Sequence, residues 1–182
     1  MPRSERGKEC FFDVSSMAAV VYPLLYFLDA GGWFAAVLPA ALLHELGHFL
    51  AVRALGGRIV CLRLDLSGVC MEVTPFPTRL AEVLSALAGP AAGLLWLFPA
   101  QRIGGDWGER SALAALAINL GNLLPALPLD GGRVLLAATG SSGAARFSSV
   151  LTAAVLTALS LRMRRTLLLL PAIAILRSAV RP

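Results

Sequence analysis

Apolar runs of nearly bilayer-spanning length recur from about residue 14 to the end of this chain, and that repetition constrains the fold more than any single residue does. A helix needs roughly 20 apolar residues to cross a hydrocarbon layer about 30 Å thick. Reading the runs against the polar breaks between them gives about six membrane segments, at 14–29, 33–54, 79–100, 111–127, 144–161 and 166–180. The sixth is short, because only Thr166 to Leu176 is free of charge and Pro171 interrupts it. The composition agrees: 57% of the residues are hydrophobic and 15% are charged, where a soluble domain carries about 25% charged residues. One membrane domain over residues 1–182, with its core at about 33–140, is the expected organisation. Met1 to Asp13 is charged and leads into the first apolar run without a small-residue cleavage site, so that run is expected to stay in place as a helix.

The net charge of +5 does not point to nucleic acid. The arginines sit singly between apolar segments, where anionic lipid head groups account for them. The lipid bilayer is therefore an expected partner and nucleic acid is not. Cys10, Cys61 and Cys70 are odd in number and lack C-x-x-C spacing, which suggests neither a disulfide framework nor a cysteine zinc site. They are expected to be small, mostly buried thiols.

Between the second and third segments, Arg58 to Asp65 and Val69 to Thr74 are strand-like around Ser67-Gly68, and a β-hairpin fits. An open sheet edge cannot face lipid, so the hairpin must sit at the interface or dip into a protein-lined cavity, where it could meet a peptide. The expected fold class is an all-α polytopic membrane protein of about six transmembrane helices with a membrane-associated β-hairpin between helices 2 and 3. With the amino terminus inside and six crossings, 11 of the 16 lysines and arginines fall on the inner side. The positive-inside rule then favours cytosolic termini, with Arg162, Arg164 and Arg165 as the exceptions.

The chemistry concentrates in His44-Glu45-Leu46-Gly47-His48, an H-E-x-x-H motif inside the second apolar segment. Positions i and i+4 of a helix share a face, so both imidazoles can reach one zinc ion while Glu45 stands beside the water to be activated. Zinc acidifies such a water and polarises a carbonyl, and a neighbouring carboxylate can carry the proton. A lone histidine in an apolar helix is usually a packing residue. Here the chain's only two histidines share the motif, and Glu45 would cost about 2 to 3 kcal/mol or more if left ionised against lipid.

A catalytic zinc takes three protein ligands, and with no histidine left the third must be a carboxylate. Asp130 lies in Asn122-Leu123-Leu124-Pro125-Ala126-Leu127-Pro128-Leu129-Asp130-Gly131-Gly132-Arg133, where two prolines break the helix and free carbonyls that only a protein-walled cavity can accommodate. Gly131 and Gly132 would allow close backbone approach. Glu72, 24 residues after His48, is the rival ligand. Asp130 is preferred because Glu72 lies on a hairpin that water can reach. Gly89 and Gly93 suit a small-xxx-small helix-packing face, and Asn122 could serve as interhelical glue.

These residues resemble the signatures of the site-2 protease family of intramembrane zinc metalloproteases. His44 to His48 matches its H-E-x-x-H element, Asn122 to Gly131 its N-P-D-G element, and Ala88-Gly89-Pro90-Ala91-Ala92-Gly93 is similar to its glycine-proline element. The matches span about residues 33 to 140, and the short flanks resemble the six-helix subgroup of the sporulation stage IV FB protease. The resemblance implies one zinc ion per chain held by His44, His48 and Asp130, Glu45 as the base, and Asn122 as a residue that positions the substrate or stabilises the tetrahedral intermediate. It also implies a membrane-re-entrant hairpin and a multi-pass location in a bacterial cell membrane. Two departures stand out. Gly93 occupies a position where the family often has asparagine, and the loops are too short for a PDZ-like insertion. No C-terminal regulatory domain is expected either, so regulation by such domains would be absent or supplied by a membrane partner.

The expected activity is hydrolysis of a peptide bond in or near a membrane-spanning segment of another protein, on the side of the bilayer nearer the cytosol. A substrate helix would have to unwind, and strand addition to the hairpin at 58–74 would hold it extended. The alternative is a zinc-binding membrane protein without proteolysis, a transporter or scaffold, which would have no use for Glu45. A soluble zinc protease would need an amphipathic helix, and 33–52 is apolar nearly all round.

Overall fold

The computed structural model describes residues 12–65, 68–164, 166 and 169–180. Its elements run in the order β1 (Phe12–Val14), α1 (Ser16–Leu28), α2 (Trp33–Ala54), β2 (Ile59–Asp65), β3 (Gly68–Val73), α3 (Arg79–Leu95), α4 (Leu97–Ile103), α5 (Gly105–Asn122), α6 (Asp130–Thr139), α7 (Ser142–Met163) and α8 (Leu169–Val180). Three helices open on side-chain caps. Ser15 accepts from Ala18 N–H, Thr78 from Ala81 N–H and Ser141 from Ala144 N–H, at 3.1–3.2 Å.

Helix α2 is the centre of the bundle and packs most extensively on α3 and then on α5. Small residues let these backbones approach. A Cβ on Gly47 would run into the carbonyl of Ala88 and the Cβ of Ala92 on α3. On the other side, Ser111 of α5 donates to the carbonyl of Ala36 at 2.7 Å and accepts from the Trp96 indole at 2.8 Å, tying α2, α5 and the α3–α4 junction together. Ala126, Ala153 and Ile175 form a small core where α7 and α8 pack on the segment between α5 and α6.

Among the described residues, three stretches are long and apolar enough to cross a membrane: Trp33–Ala54, Arg79–Ile103 across α3 and α4, and Ser142–Met163. The shorter apolar helices Ser16–Leu28 and Leu169–Ala179 lie where two more membrane segments are expected, without the length of a full span. The segment expected at 111–127 is redrawn. Helix α5 begins at Gly105, within a charged stretch, and ends at Asn122, so residues 123–129 are irregular.

The hairpin forms, with β2 and β3 antiparallel and Leu62 opposite Met71. The sheet has three strands rather than two, in the order β1-β2-β3, because β1 pairs parallel to β2 with Phe12 opposite Leu62. An Arg63–Asp13 ion pair at 3.2 Å and a hydrogen bond from the Tyr22 hydroxyl to the Asp65 carbonyl at 3.0 Å fasten β1 and α1 to β2. This arrangement leaves β3 as an edge strand among the described strands. The cysteines depart from the expectation of plain buried thiols. Cys61 is buried and disulfide-bonded, Cys70 is free and exposed, and Cys10 lies outside the described residues.

Candidate metal centre

The turn His44–His48 faces the interior of the bundle, and both histidines are buried. One helical turn separates them, and their rings meet edge to face with centroids 4.7 Å apart. Asp130 reaches the same place from the far end of the sequence. Its position depends on the break after α5. Leu127 N–H donates to the Ser149 hydroxyl at 2.9 Å and the Ser148 hydroxyl donates to the Pro125 carbonyl at 2.5 Å, so two serines of α7 satisfy backbone groups that the prolines release. Gly131 and Gly132 then press α6 against this segment. A Cβ on Gly131 would collide with the carbonyls of Leu123 and Leu124, and one on Gly132 with the Ala126–Leu127 peptide.

The result is a convergence of three buried groups. His44 Nε2 and His48 Nε2 are 3.1 Å apart, and each lies 3.2 Å from Asp130 Oδ2. These residues offer ligand atoms all within 4.8 Å of one another and could hold a metal ion. The outward nitrogens decide what the inward ones present. His48 Nδ1–H donates to the main-chain carbonyl of Ser85 at 2.8 Å. His44 Nδ1–H donates to Asn119 Oδ1 at 2.9 Å, while Asn119 Nδ2–H is committed to the Ala115 carbonyl at 2.7 Å. When each imidazole is neutral, with its proton on Nδ1, the two Nε2 lone pairs and a carboxylate oxygen face one another in an apolar bundle. That arrangement is repulsive without a proton or metal ion between them, and two imidazoles plus one carboxylate are a donor set that zinc favours.

Arg133 Nη1 stands 3.5 Å from Asp130 Oδ1, the carboxylate oxygen turned away from the histidines. A cavity of about 460 Å³ opens at the site. Glu45 and Asn122 line it together with His44, His48, Ser85, Asp130 and Arg133, and β3 contributes Val69, Cys70, Met71 and Val73. The five expected site residues, His44, Glu45, His48, Asp130 and Asn122, therefore line one cavity. Glu72, the rival ligand, is exposed on β3 and outside the convergence.

Sequence reasoning missed Asn119, Ser85 and Arg133. Asn119 carried a usable signal, as a second amide in the apolar run that holds Asn122. Ser85 carried none, since it acts through its backbone. A Cβ on Gly93 would collide with the Asn119 amide, so the glycine at that position leaves room for this side chain.

No protein-family model matches the chain, and no curated protein matches it in sequence. Among solved structures, the site-2 protease from Methanocaldococcus jannaschii superposes with a TM-score of 0.64 at 23% sequence identity, over 90% of this chain and 84% of that one. The chain therefore has the fold of that protease.

Proposed function

We propose that the protein is an intramembrane zinc metalloendopeptidase of the site-2 protease family, cleaving a peptide bond in or near a transmembrane segment of another protein. The observation that carries this reading is the convergence of His44 Nε2, His48 Nε2 and Asp130 Oδ2 inside an apolar bundle, on the wall of a cavity that Glu45 also lines. The fold shared with the archaeal protease supports it. A zinc ion bound there supplies a Lewis acid that polarises the scissile carbonyl and acidifies water.

The chain's own residues do the rest. Glu45 takes a proton from the attacking water and delivers it to the leaving amine. Asn122, which lines the same cavity, donates its amide N–H to the substrate carbonyl oxygen as charge develops there. Arg133 balances Asp130 from behind, so a carboxylate can face the histidines without remaining an uncompensated buried charge. The edge strand β3 gives an unwound substrate a template, since strand addition places an extended peptide alongside Val69 to Val73 and over the cavity.

We place six crossings in the bilayer, with α8 the shallowest, and the termini in the cytosol. Helix α2 is about 33 Å long, and His48 lies roughly 9 Å from its hairpin end, so the chemistry is nearer the face that the arginine distribution assigns to the cytosol. The Cys61 disulfide pulls the other way, because such bonds persist mainly in oxidising compartments. Labelling Cys70 in intact cells with a membrane-impermeant thiol reagent separates the two: protection supports the cytosolic placement, and labelling overturns it.

The proposed activity is tested by incubating purified protein with candidate membrane-protein substrates, comparing wild type with Glu45→Gln. Loss of cleavage by about 100-fold or more with zinc retained is the expected result. Equal cleavage by both proteins would remove Glu45 as the base.

A further inference from the structure

The proposed chemistry makes no direct use of Asn119, yet few side chains in the bundle are held as completely. It is fully buried on α5, at 0% exposure. Its Nδ2–H is spent on the Ala115 carbonyl one turn back, which leaves Oδ1 aimed at His44 Nδ1, 2.9 Å away. A Cβ on Gly93 of α3 would collide with the same amide. We infer that Asn119 is a positioning residue that locks His44 in its Nδ1–H tautomer and ring orientation, and that Gly93 serves the site by leaving room for it.

The two imidazoles are fixed by different means, and that difference carries the inference. A neutral imidazole has its proton on either nitrogen, and the partner of one nitrogen decides what the other can do. His48 is held by the main-chain carbonyl of Ser85, which no side-chain substitution deletes. His44 is held by a single side chain that can be replaced. Removing the Asn119 acceptor should therefore free His44 to place its proton on Nε2, where it could no longer accept a cation, while His48 keeps its tautomer. The tautomer claim concerns the metal-free protein and stands whether or not the protein cleaves peptides. Only the affinity claim rests on the metal-site reading.

The chain has only two histidines, so isotope-labelled histidine gives four ring-nitrogen signals that NMR can follow in the purified, metal-free protein. In Asn119→Leu the His44 pair should lose its distinct protonated and bare signals, with the His48 pair unchanged, and zinc affinity should fall about 10- to 100-fold. Gly93→Ala should reproduce this pattern by displacing the amide. Asn119→Asp, which keeps an acceptor, should hold the His44 tautomer, and it carries the test if the leucine variant does not fold. Ser111→Ala removes a buried interhelical hydrogen bond far from the imidazoles and should leave all four signals and the zinc affinity as in wild type. Unchanged His44 signals and affinity in folded Asn119→Leu would overturn the inference. So would His44 and His48 signals that shift together, or an Asn119→Asp protein that loses the His44 tautomer.

Discussion

Replacing Gly89 with alanine tests the packing of the candidate centre at its tightest point. The added Cβ would stand 2.5 Å from both Cδ2 and Cε1 of His48 and nearer still to Nε2, whereas ordinary contact begins at 3.4 Å. The ring must retreat by roughly 1 Å to relieve the overlap. It has little freedom to do so. Its Nδ1 is tied to Ser85, on the same helix as the intruding methyl group, and its other nitrogen faces His44 and Asp130. Moving α3 away instead would pull it off Gly47, which already lies against Ala88 and Ala92. Metal–ligand distances tolerate errors of only about 0.2 Å, so a displacement of this size removes His48 as a ligand. We expect zinc affinity to fall by at least about 100-fold, equivalent to roughly 2.8 kcal/mol, with about 1 to 3 kcal/mol of overpacking strain on the fold. Alanine is the better helix former by about 1 kcal/mol, so any loss would come from the collision and not from propensity. The assay is zinc competition against a chelator of known affinity, run beside thermal unfolding in the same detergent. A Gly89→Ala protein that binds zinc as tightly as wild type and melts at the same temperature would refute the packing described.

Three further outcomes follow from the same geometry. Asp130→Ala should abolish zinc binding while Glu72→Ala leaves it intact, and the opposite pattern in a zinc assay would reassign the third ligand. Ser149→Ala leaves the Leu127 amide unpaired and should cost about 1 to 3 kcal/mol in denaturant unfolding, so an unchanged midpoint would show that the α7 serine does not hold the broken segment. Met71→Pro in β3 should slow cleavage by roughly tenfold or more with zinc still bound, and full activity in that variant would refute strand addition.

Much of the scaffold was legible because hydropathy and helical spacing are local signals. The reading of 33–54 coincides with α2, and both hairpin strands lie within a residue or two of their expected limits. Misreadings arose where tertiary contacts override local pattern. Helix α5 starts among Asp106, Glu109 and Arg110, because Arg110 stacks on Trp33 and donates to the Gly31 carbonyl in the turn before α2, a contact that hydropathy cannot see. Strand β1 is three residues long and pairs with β2 about 50 residues away, so no periodicity announces it. Among the site residues, the spacing of His44 and His48 dictates their geometry, and the prolines around Asp130 announce a cavity. The partners of the imidazoles are less visible. One is a backbone carbonyl, and the other is an asparagine that stands out only as a second amide in an apolar run, a pattern shared with interhelical glue.

The inward arrangement of electron pairs also bears on stability. Helix α6 reaches α2 through Asp130 Oδ2, and without a cation that contact sets a carboxylate against two bare nitrogens. The free energy of cation binding is therefore also free energy of docking α6, together with the broken segment behind it, onto the bundle. If the folded protein alone binds zinc, then free zinc at about a thousand times its dissociation constant stabilises the fold by about 4 kcal/mol. Chelation should accordingly lower the melting temperature of wild type. Glu45→Gln, which keeps all three ligands, should show the same shift, and Asp130→Ala should show none. Identical melting of all three proteins with and without chelator would mean that these side chains hold no metal, and the centre would have to be read as a polar packing cluster instead.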